Sequence, residues 1–253
     1  MLQEERHQRI RALLASMQRA TTERVASDLG VSRETVRRDF VELEARGELR
    51  RVHGGVVAVA PEPEPPIAVR SQVRLKEKRA IAKAAARLVT AGQTLFLDFG
   101  STVSALAEEL ASLPGLTIVT NSFDVAQTIA QGKRGTATLL GGRVDEGIPA
   151  TFGEGTVAEI HRYRADVALL SPAALDPRYG ATSFDPREAE VARAMVDNAD
   201  RVVILADHSK IGHTSRISFC PPGRIDTIVT DARSQEAAAF PALASAVPCV
   251  VFG

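Results

Sequence analysis

Val25-Ala26-Ser27-Asp28-Leu29-Gly30-Val31-Ser32-Arg33-Glu34-Thr35-Val36-Arg37-Arg38-Asp39-Phe40 decides how the amino-terminal part of this chain folds. Thr21, just upstream, is placed to cap a short helix carrying Val25, Ala26 and Leu29 on one side. Gly30 then tolerates the positive φ that ends a helix. Ser32 is placed to cap a further helix running to about Ala45, with Val36, Phe40, Val41 and Leu43 as its apolar contacts. Upstream, Ile10, Leu13, Leu14 and Met17 share one face of an opening helix. Downstream, Gly47 breaks the pattern, and Leu49 to Val59, around Gly54-Gly55, predicts a short two-stranded wing. Three helices with a tight corner at Gly30-Val31-Ser32 fit a helix-turn-helix.

Such a unit presents the amino-terminal half of its third helix to the DNA major groove. That half carries Ser32, Arg33, Thr35, Arg37 and Arg38, and the wing carries Arg50, Arg51 and His53. Arginine suits both bidentate contact with guanine and charge-assisted contact with phosphate. Glu34, Asp39, Glu42 and Glu44 offset these charges, so periodicity alone is also compatible with a solvated helix of mixed charge.

Working outward, residues 58–69 alternate prolines, Pro61, Pro63, Pro65 and Pro66, which favour extended backbone over helix or ladder. The expected organisation is a winged helix-turn-helix over 1–57, a proline-rich linker over 58–69, and a larger domain over 70–253. In the last segment helices are predicted over 76–90, 102–112, 124–131, 154–162 and 187–199. Strands are predicted over Thr94–Phe99, Thr117–Thr120, Ala137–Leu140, Val167–Ser171, Val202–Ala206 and Ile225–Thr230. Most of these strands are unbroken apolar runs, as when both faces of a sheet are covered, so an α/β domain with a largely parallel sheet follows.

Ligands of open α/β sheets gather at the carboxyl ends of strands. There the sequence places Asp98-Phe99-Gly100-Ser101-Thr102, Thr120-Asn121-Ser122, Gly141-Gly142 and Asp207-His208-Ser209-Lys210. A glycine turn opening a helix offers free N–H groups and the positive end of a dipole, an arrangement suited to phosphate or carboxylate. The same Ser-Thr pair also makes an ordinary helix cap. Lys210 would pair with an anion, or be a surface lysine. Glu188 begins a helix, where a carboxylate also favours the dipole.

Both halves carry a longer match. The run from Val25 to Phe40, followed by Leu43, Gly47 and Arg51-Val52-His53-Gly54-Gly55-Val56, resembles the DeoR family of repressors; Phe40 stands where leucine is commoner. Leu97-Asp98-x-Gly100-Ser101-Thr102, Leu116 to Ser122, Leu140-Gly141-Gly142, Gly153, Glu190 to Met195, Leu205 to Lys210 and Thr230-Asp231 resemble that family's sensor domain. The resemblance implies a fold similar to ribose-5-phosphate isomerase and glucosamine-6-phosphate deaminase, and a sugar-phosphate effector. The effector residues it implies are Asp98, Gly100, Ser101, Thr102, Asn121, Gly141, Glu188, Asp207 and Lys210. Two stretches depart from the family pattern: Phe99 and Ser101 replace the commoner serine and threonine, and Ser171-Pro172-Ala173-Ala174 replaces a Gly-Ala-x-Gly stretch.

Composition agrees with a folded regulator. The apolar share of 45% supports a sizeable core. Lys plus Arg equal Asp plus Glu at 31 each, so any nucleic-acid surface must be local. The charged opening Glu4-Glu5-Arg6 is unlike a secretory leader, no apolar run reaches the roughly 20 residues of a membrane span, and the cytoplasm is the expected setting. Cys220 and Cys249 form no metal or redox pair, and Asp207, His208 and His213 match no metal motif, so no cofactor or metal is expected beyond the effector. The expected function is a repressor of a sugar or carbohydrate catabolic operon. It would bind double-stranded operator DNA as a homodimer or homotetramer, with no catalytic residue and no membrane partner. The alternative is a sugar-phosphate isomerase or deaminase-like enzyme carrying a DNA-binding head, with Asp98, Glu188 or Asp207 as base.

Overall fold

Thr21 and Ser32 start the helices that the sequence assigns to them. In the computed structural model, which describes residues 3–17, 19–45, 48–52, 54–58 and 66–253, the Thr21 side chain accepts the Arg24 N–H at 3.2 Å and Ser32 Oγ accepts the Thr35 N–H at 3.1 Å. The chain divides into two units, Met1–Glu62 and Pro63–Gly253. His53, Gly47 and most of the proline-rich stretch lie outside the described residues.

The first unit contains α1 (Gln3–Met17), β1 (Arg19–Thr21), α2 (Thr22–Leu29), α3 (Arg33–Ala45), β2 (Leu49–Val52) and β3 (Gly55–Ala58). Gly30 closes α2 at φ 64°. The wing is three-stranded rather than two-stranded, in the order β1-β3-β2, because Ala20 pairs with Val56 while Arg51 pairs with the same residue from the other side. Gly55 permits this approach: a Cβ there would lie 2.2 Å from the Ala20 carbonyl oxygen. Ile10, Leu14, Val25, Leu29, Val36, Phe40 and Leu43 are buried together, whereas Met17 and Val41, expected in the core, are about half exposed at 49% and 48%. They occupy the edges of their helical stripes, beyond the reach of the small core.

Within this core sits a charge. Asp39 is buried on α3, and Arg6 grips it through Nε at 2.7 Å and Nη2 at 2.8 Å, with the buried His7 ring at 3.2 Å. A two-pronged guanidinium–carboxylate pair fixes orientation as well as distance, so Asp39 locks α1 to the back of α3.

The second unit continues with α4 (Ile67–Gln72), α5 (Leu75–Ala86), β4 (Thr94–Leu97), α6 (Ser101–Leu110), β5 (Thr117–Thr120), α7 (Phe123–Gly132) and β6 (Thr136–Leu139). Then come β7 (Arg143–Val144), β8 (Thr151–Phe152), α8 (Glu154–Ile160), β9 (Ala165–Leu170), β10 (Ala174–Asp176), β11 (Gly180–Ser183) and α9 (Pro186–Asp197). It ends with β12 (Ala199–Leu205), β13 (Ile217–Cys220), β14 (Thr227–Thr230), α10 (Phe240–Ala246) and β15 (Cys249–Phe252). Helix α4 begins inside the stretch expected to be linker. Pro66 precedes its first turn, where a missing N–H costs nothing. Helix α5 stops at Ala86, four residues short of the expected end, and the chain turns before β4.

Seven parallel strands form one sheet in the order β15-β14-β12-β9-β4-β5-β6. Alternate residues feed two cores. Leu95, Leu97, Val167, Leu169, Val203 and Leu205 pack with Ile81, Leu106 and Ile129 of the helices on one face. Phe96, Ala168, Leu170 and Ile204 pack with Val191, Met195 and Ile160 on the other. Burial on both faces explains the unbroken apolar runs of the sequence. The chain starts this sheet at β4, moves out to β6, then returns to the other side of β4 as β9, so strand order reverses between β4 and β9. Among the described residues no helix is long and apolar enough to cross a membrane.

Asp39→Ala would remove the anion that the buried His7 ring and the half-buried Arg6 share. The expected outcome is a loss of about 3 kcal/mol from the amino-terminal unit, read by chemical denaturation of the full chain; a loss below about 0.5 kcal/mol, the scale of an exposed pair, contradicts the lock.

Candidate functional site

The outer face of α3 is polar and exposed because Val36, Asp39, Phe40 and Leu43 take the inner face. Ser32 is committed to the helix cap, holding the Thr35 N–H and lying 2.9 Å from the Thr35 hydroxyl. Arg33 and Arg37 lean on Glu23 and Glu34 at 3.6 and 3.7 Å, exposed pairs that cost little to exchange for phosphate or guanine. Arg38 is exposed, and among the described residues its side chain has no ion pair; the same holds for Arg50 on β2. Arg51 is different: Glu44 accepts its backbone N–H at 2.8 Å and its Nε at 2.5 Å, fastening β2 to the end of α3. The Glu44 carboxyl is held below its ordinary pKa by the Arg51 backbone hydrogen bond first and the guanidinium second. His53 lies outside the described residues.

The second site forms where strand order reverses. Asp98 follows β4 and Ser171 follows β9, and the Ser171 N–H donates to both Asp98 carboxylate oxygens at 3.2 Å. Burial drives the Asp98 carboxyl well above the ordinary carboxylate range; the Ser171 bond opposes the shift, nearby Glu188 adds to it, and Lys210 opposes it. Glu188, at the start of α9, accepts the Ser183 hydroxyl at 2.9 Å. Asp98, Asn121, Ser171, Ser183 and Glu188 line a narrow pocket floored by Val191 and Phe219. Its open room is about 20 Å³, enough for a water. A wider cleft of about 400 Å³ adjoins it, sharing Arg70, Phe99 and Glu188 and walled by Ile67, Ile148 and Phe184. Asn121 donates Nδ2 to the Thr151 carbonyl at 3.0 Å and leaves buried Oδ1 without a protein partner.

Cations gather beside this pocket. Lys210 donates to the carbonyl of Pro172, a lining residue, and the Arg70 guanidinium lies 5.6 Å over the Phe99 ring. Lys78 is buried and donates to the Arg70 carbonyl at 2.5 Å, capping α4. Burial lowers its pKa; Asp207 resists that, while Lys210, Arg70 and Arg74 add to it. Asp207 is buried, accepts the Ser209 hydroxyl at 2.6 Å, and lies 3.7 Å from Arg74.

The expected effector residues therefore divide. Asp98, Asn121 and Glu188 line the pocket directly. Gly100 stands against Ser171, where a Cβ would lie 3.5 Å from the serine side chain, and Ser101 and Thr102 open α6 behind it. Asp207 and Lys210 belong to the neighbouring charge cluster. Gly141 lines neither cavity: its N–H donates to Glu159 at 2.7 Å and its carbonyl accepts the Thr156 hydroxyl at 2.7 Å, so α8 takes both groups. Arg70, Arg74, Lys78 and Ser183 were missed, and Ser171 to Ala173, noted in the sequence only as a departure from the family pattern, line the pocket. The only sequence signal for the first three was a basic run directly after the prolines. His208, weighed as a metal ligand, turns its Nδ1 to Asp231 at 3.0 Å.

Residues 6–62 match the DeoR-like helix-turn-helix domain and residues 73–232 match the DeoR C terminal sensor domain. The chain is 31% identical over 232 residues to the glycerol-3-phosphate regulon repressor of Escherichia coli (strain K12), covering 92% of each protein. It is 34% identical over 235 residues to the HTH-type transcriptional repressor GlcR of Bacillus subtilis (strain 168), covering 91% of this chain and 89% of that one. Among solved structures, ribose 5-phosphate isomerase A from Methanocaldococcus jannaschii aligns with a TM-score of 0.39 at 19% identity, over 53% of each chain. The eIF2B beta subunit from Chaetomium thermophilum aligns with a TM-score of 0.45 at 14% identity, over 61% of this chain and 48% of that one. The full-length relatives are named as repressors, which sets aside the reading of this chain as an isomerase or deaminase with an accessory head. With both of its segments matched in order, the chain belongs to the DeoR family of DNA-binding transcription regulators.

Proposed function

We propose that this protein represses a sugar or carbohydrate catabolic operon and that a phosphorylated sugar, bound at the β4/β9 crevice, controls its grip on operator DNA. The observation that carries the reading is the pairing of two kinds of group at one pocket. Asp98, Asn121, Ser183 and Glu188 offer acceptors and donors for neutral hydroxyls, while Arg70, Lys78 and Lys210 supply positive charge for an anion beside them. A polyol bearing one phosphate satisfies both. The Gly100-Ser101-Thr102 turn adds N–H donors at the start of α6. The effector needs no further cofactor. The ligand acts by favouring one arrangement of the DNA-binding heads over another, since only that difference in affinity switches the repressor. Two-fold operators require paired heads, so the working form is a homodimer or homotetramer in the cytoplasm.

On the DNA side, Arg37→Ala and Arg38→Ala should each weaken operator binding by about 1–3 kcal/mol where the contact is a bidentate base contact. Fluorescence-anisotropy titrations on a selected operator check this; two variants that bind like wild type refute the assignment of α3 as the reading helix.

On the effector side, Lys210→Ala should weaken the response to phosphorylated sugars at least tenfold, about 1.4 kcal/mol, while operator binding without effector is kept. Calorimetry against glycerol 3-phosphate and a panel of hexose and pentose phosphates measures it. Equal affinity in wild type and variant would remove Lys210 from the anion site.

Asp98 sets a pH signature. The pKa of its carboxyl is raised in the folded state, so folding is penalised as pH rises through the ordinary pKa of an unperturbed aspartate, about 3.9, and the penalty is absent below it. Asp98→Asn should therefore raise the melting temperature at pH 7, the gain should vanish near pH 4, and effector binding should weaken. A gain of equal size at both pH values would mean that ionisation of Asp98 is not its cause.

A further inference from the structure

Arg70 to Arg87 is the most basic stretch of the chain: seven Lys or Arg against one acid, Glu77. Three of the seven belong to the pocket cluster, since Arg70 lines the pocket, Arg74 approaches Asp207 and Lys78 caps α4. The other four do not. Lys76, Arg79, Lys83 and Arg87 are exposed, and among the described residues none of their side chains forms an ion pair or hydrogen bond. Lys76, Arg79 and Lys83 line one shallow groove with Leu75 and Ala80, and Arg87 continues the same row one turn on. At 1.5 Å per residue the row is roughly 16 Å long.

Helix stability does not account for this row. Lys76 and Arg79 stand near the positive end of the α5 dipole, and like charges three and four residues apart repel. A mixed-charge face would serve solubility better. The DNA-binding head, meanwhile, is nearly neutral: residues 1–62 hold eleven arginines against ten acids. Phosphate neutralisation supplies much of the affinity of DNA-binding proteins, and in this head Glu44, Asp39 and Glu48 occupy Arg51, Arg6 and Arg11.

We propose that the exposed face of α5 is a second DNA-contact surface, on which Lys76, Arg79, Lys83 and Arg87 meet the phosphate backbone of duplex flanking the bases read by α3. The partner is a polyanion that the protein already binds through its head. Only thirteen residues separate Glu62 from Lys76, so a bound head keeps α5 at high effective concentration near the same duplex. The contact carries no sequence information and contributes affinity alone.

The test uses the full-length chain, an operator duplex selected by the protein from a random pool, and a mixed-sequence duplex. The triple variant Lys76→Ala, Arg79→Ala, Lys83→Ala should lower the slope of log Kd against log salt by roughly 2.7, at about 0.9 per phosphate released, on both duplexes. Lys76→Arg with Lys83→Arg should keep the wild-type slope. A photocrosslinking residue at Ala80, in otherwise unaltered protein, should link to DNA outside the selected half-sites. An unchanged slope in the triple variant overturns the proposal. So does a change in oligomeric state by sedimentation with the slope per protomer unchanged, because the face would then meet another protein chain. Unchanged calorimetric binding of phosphorylated sugars by the triple variant separates this surface from the effector pocket.

Discussion

The sensor unit depends on the hydrogen bond between the Ser171 N–H and the buried Asp98 carboxylate, 3.2 Å across the point where strand order reverses. Adjacent parallel strands that belong to opposite halves of a sheet send their following loops apart, and a crevice opens between them. Here β4 and β9 are that pair. The sheet fixes where a ligand can enter before any side chain is chosen, and Asp98 and Ser171 then furnish the crevice with a polar floor. Keeping a carboxyl there raises its pKa through burial and through Glu188 nearby. A carboxyl kept buried in this way costs stability, a cost common at binding sites.

The DNA-binding unit handles charge in the opposite way. Asp39 is buried but fully engaged by Arg6 and His7, which turns an expensive ion into a rigid link between α1 and α3. That link holds the inner face of α3 so that the arginines on its outer face are presented from a fixed support. Glu44 does the same for the wing by holding Arg51. Among the described residues Arg38 and Arg50 form no ion pair, whereas Arg51 is held by Glu44 and Ser32 caps the helix.

Local chemistry made the head legible. Thr21, Gly30 and Ser32 act on residues one to three positions away, and all three do in the structure what their side chains or backbone freedom suggest. The inner strands were legible because burial on both faces leaves an unbroken apolar run. Short strands were not: β7, β8, β10, β11 and β13 have two to four residues each, too few for a period to register. Helix α4 was hidden by the prolines before it. The wing's third strand needed the approach of Ala20 to Gly55 across more than thirty residues, which no local pattern encodes. In the pocket, Asp98, Asn121 and Glu188 were visible as polar residues at element ends. Ser183 and Arg70, and Lys78 beside the pocket, were not, because their placement arises from tertiary contacts with Glu188, Phe99 and the end of α4. Gly141 sits in the same kind of loop, yet its N–H and carbonyl are taken by α8 and it lines neither cavity.

Hydrogen–deuterium exchange of the full-length protein, with and without a saturating phosphorylated sugar identified by calorimetry, tests the central claim most directly. Protection that includes the strand ends around Asp98 to Thr102, Asn121, Ser171 to Ala174 and Asp207 to Ile211 is the predicted result. Demonstrated binding with protection elsewhere, and with those four segments unchanged, would contradict the placement of the effector at the β4/β9 crevice.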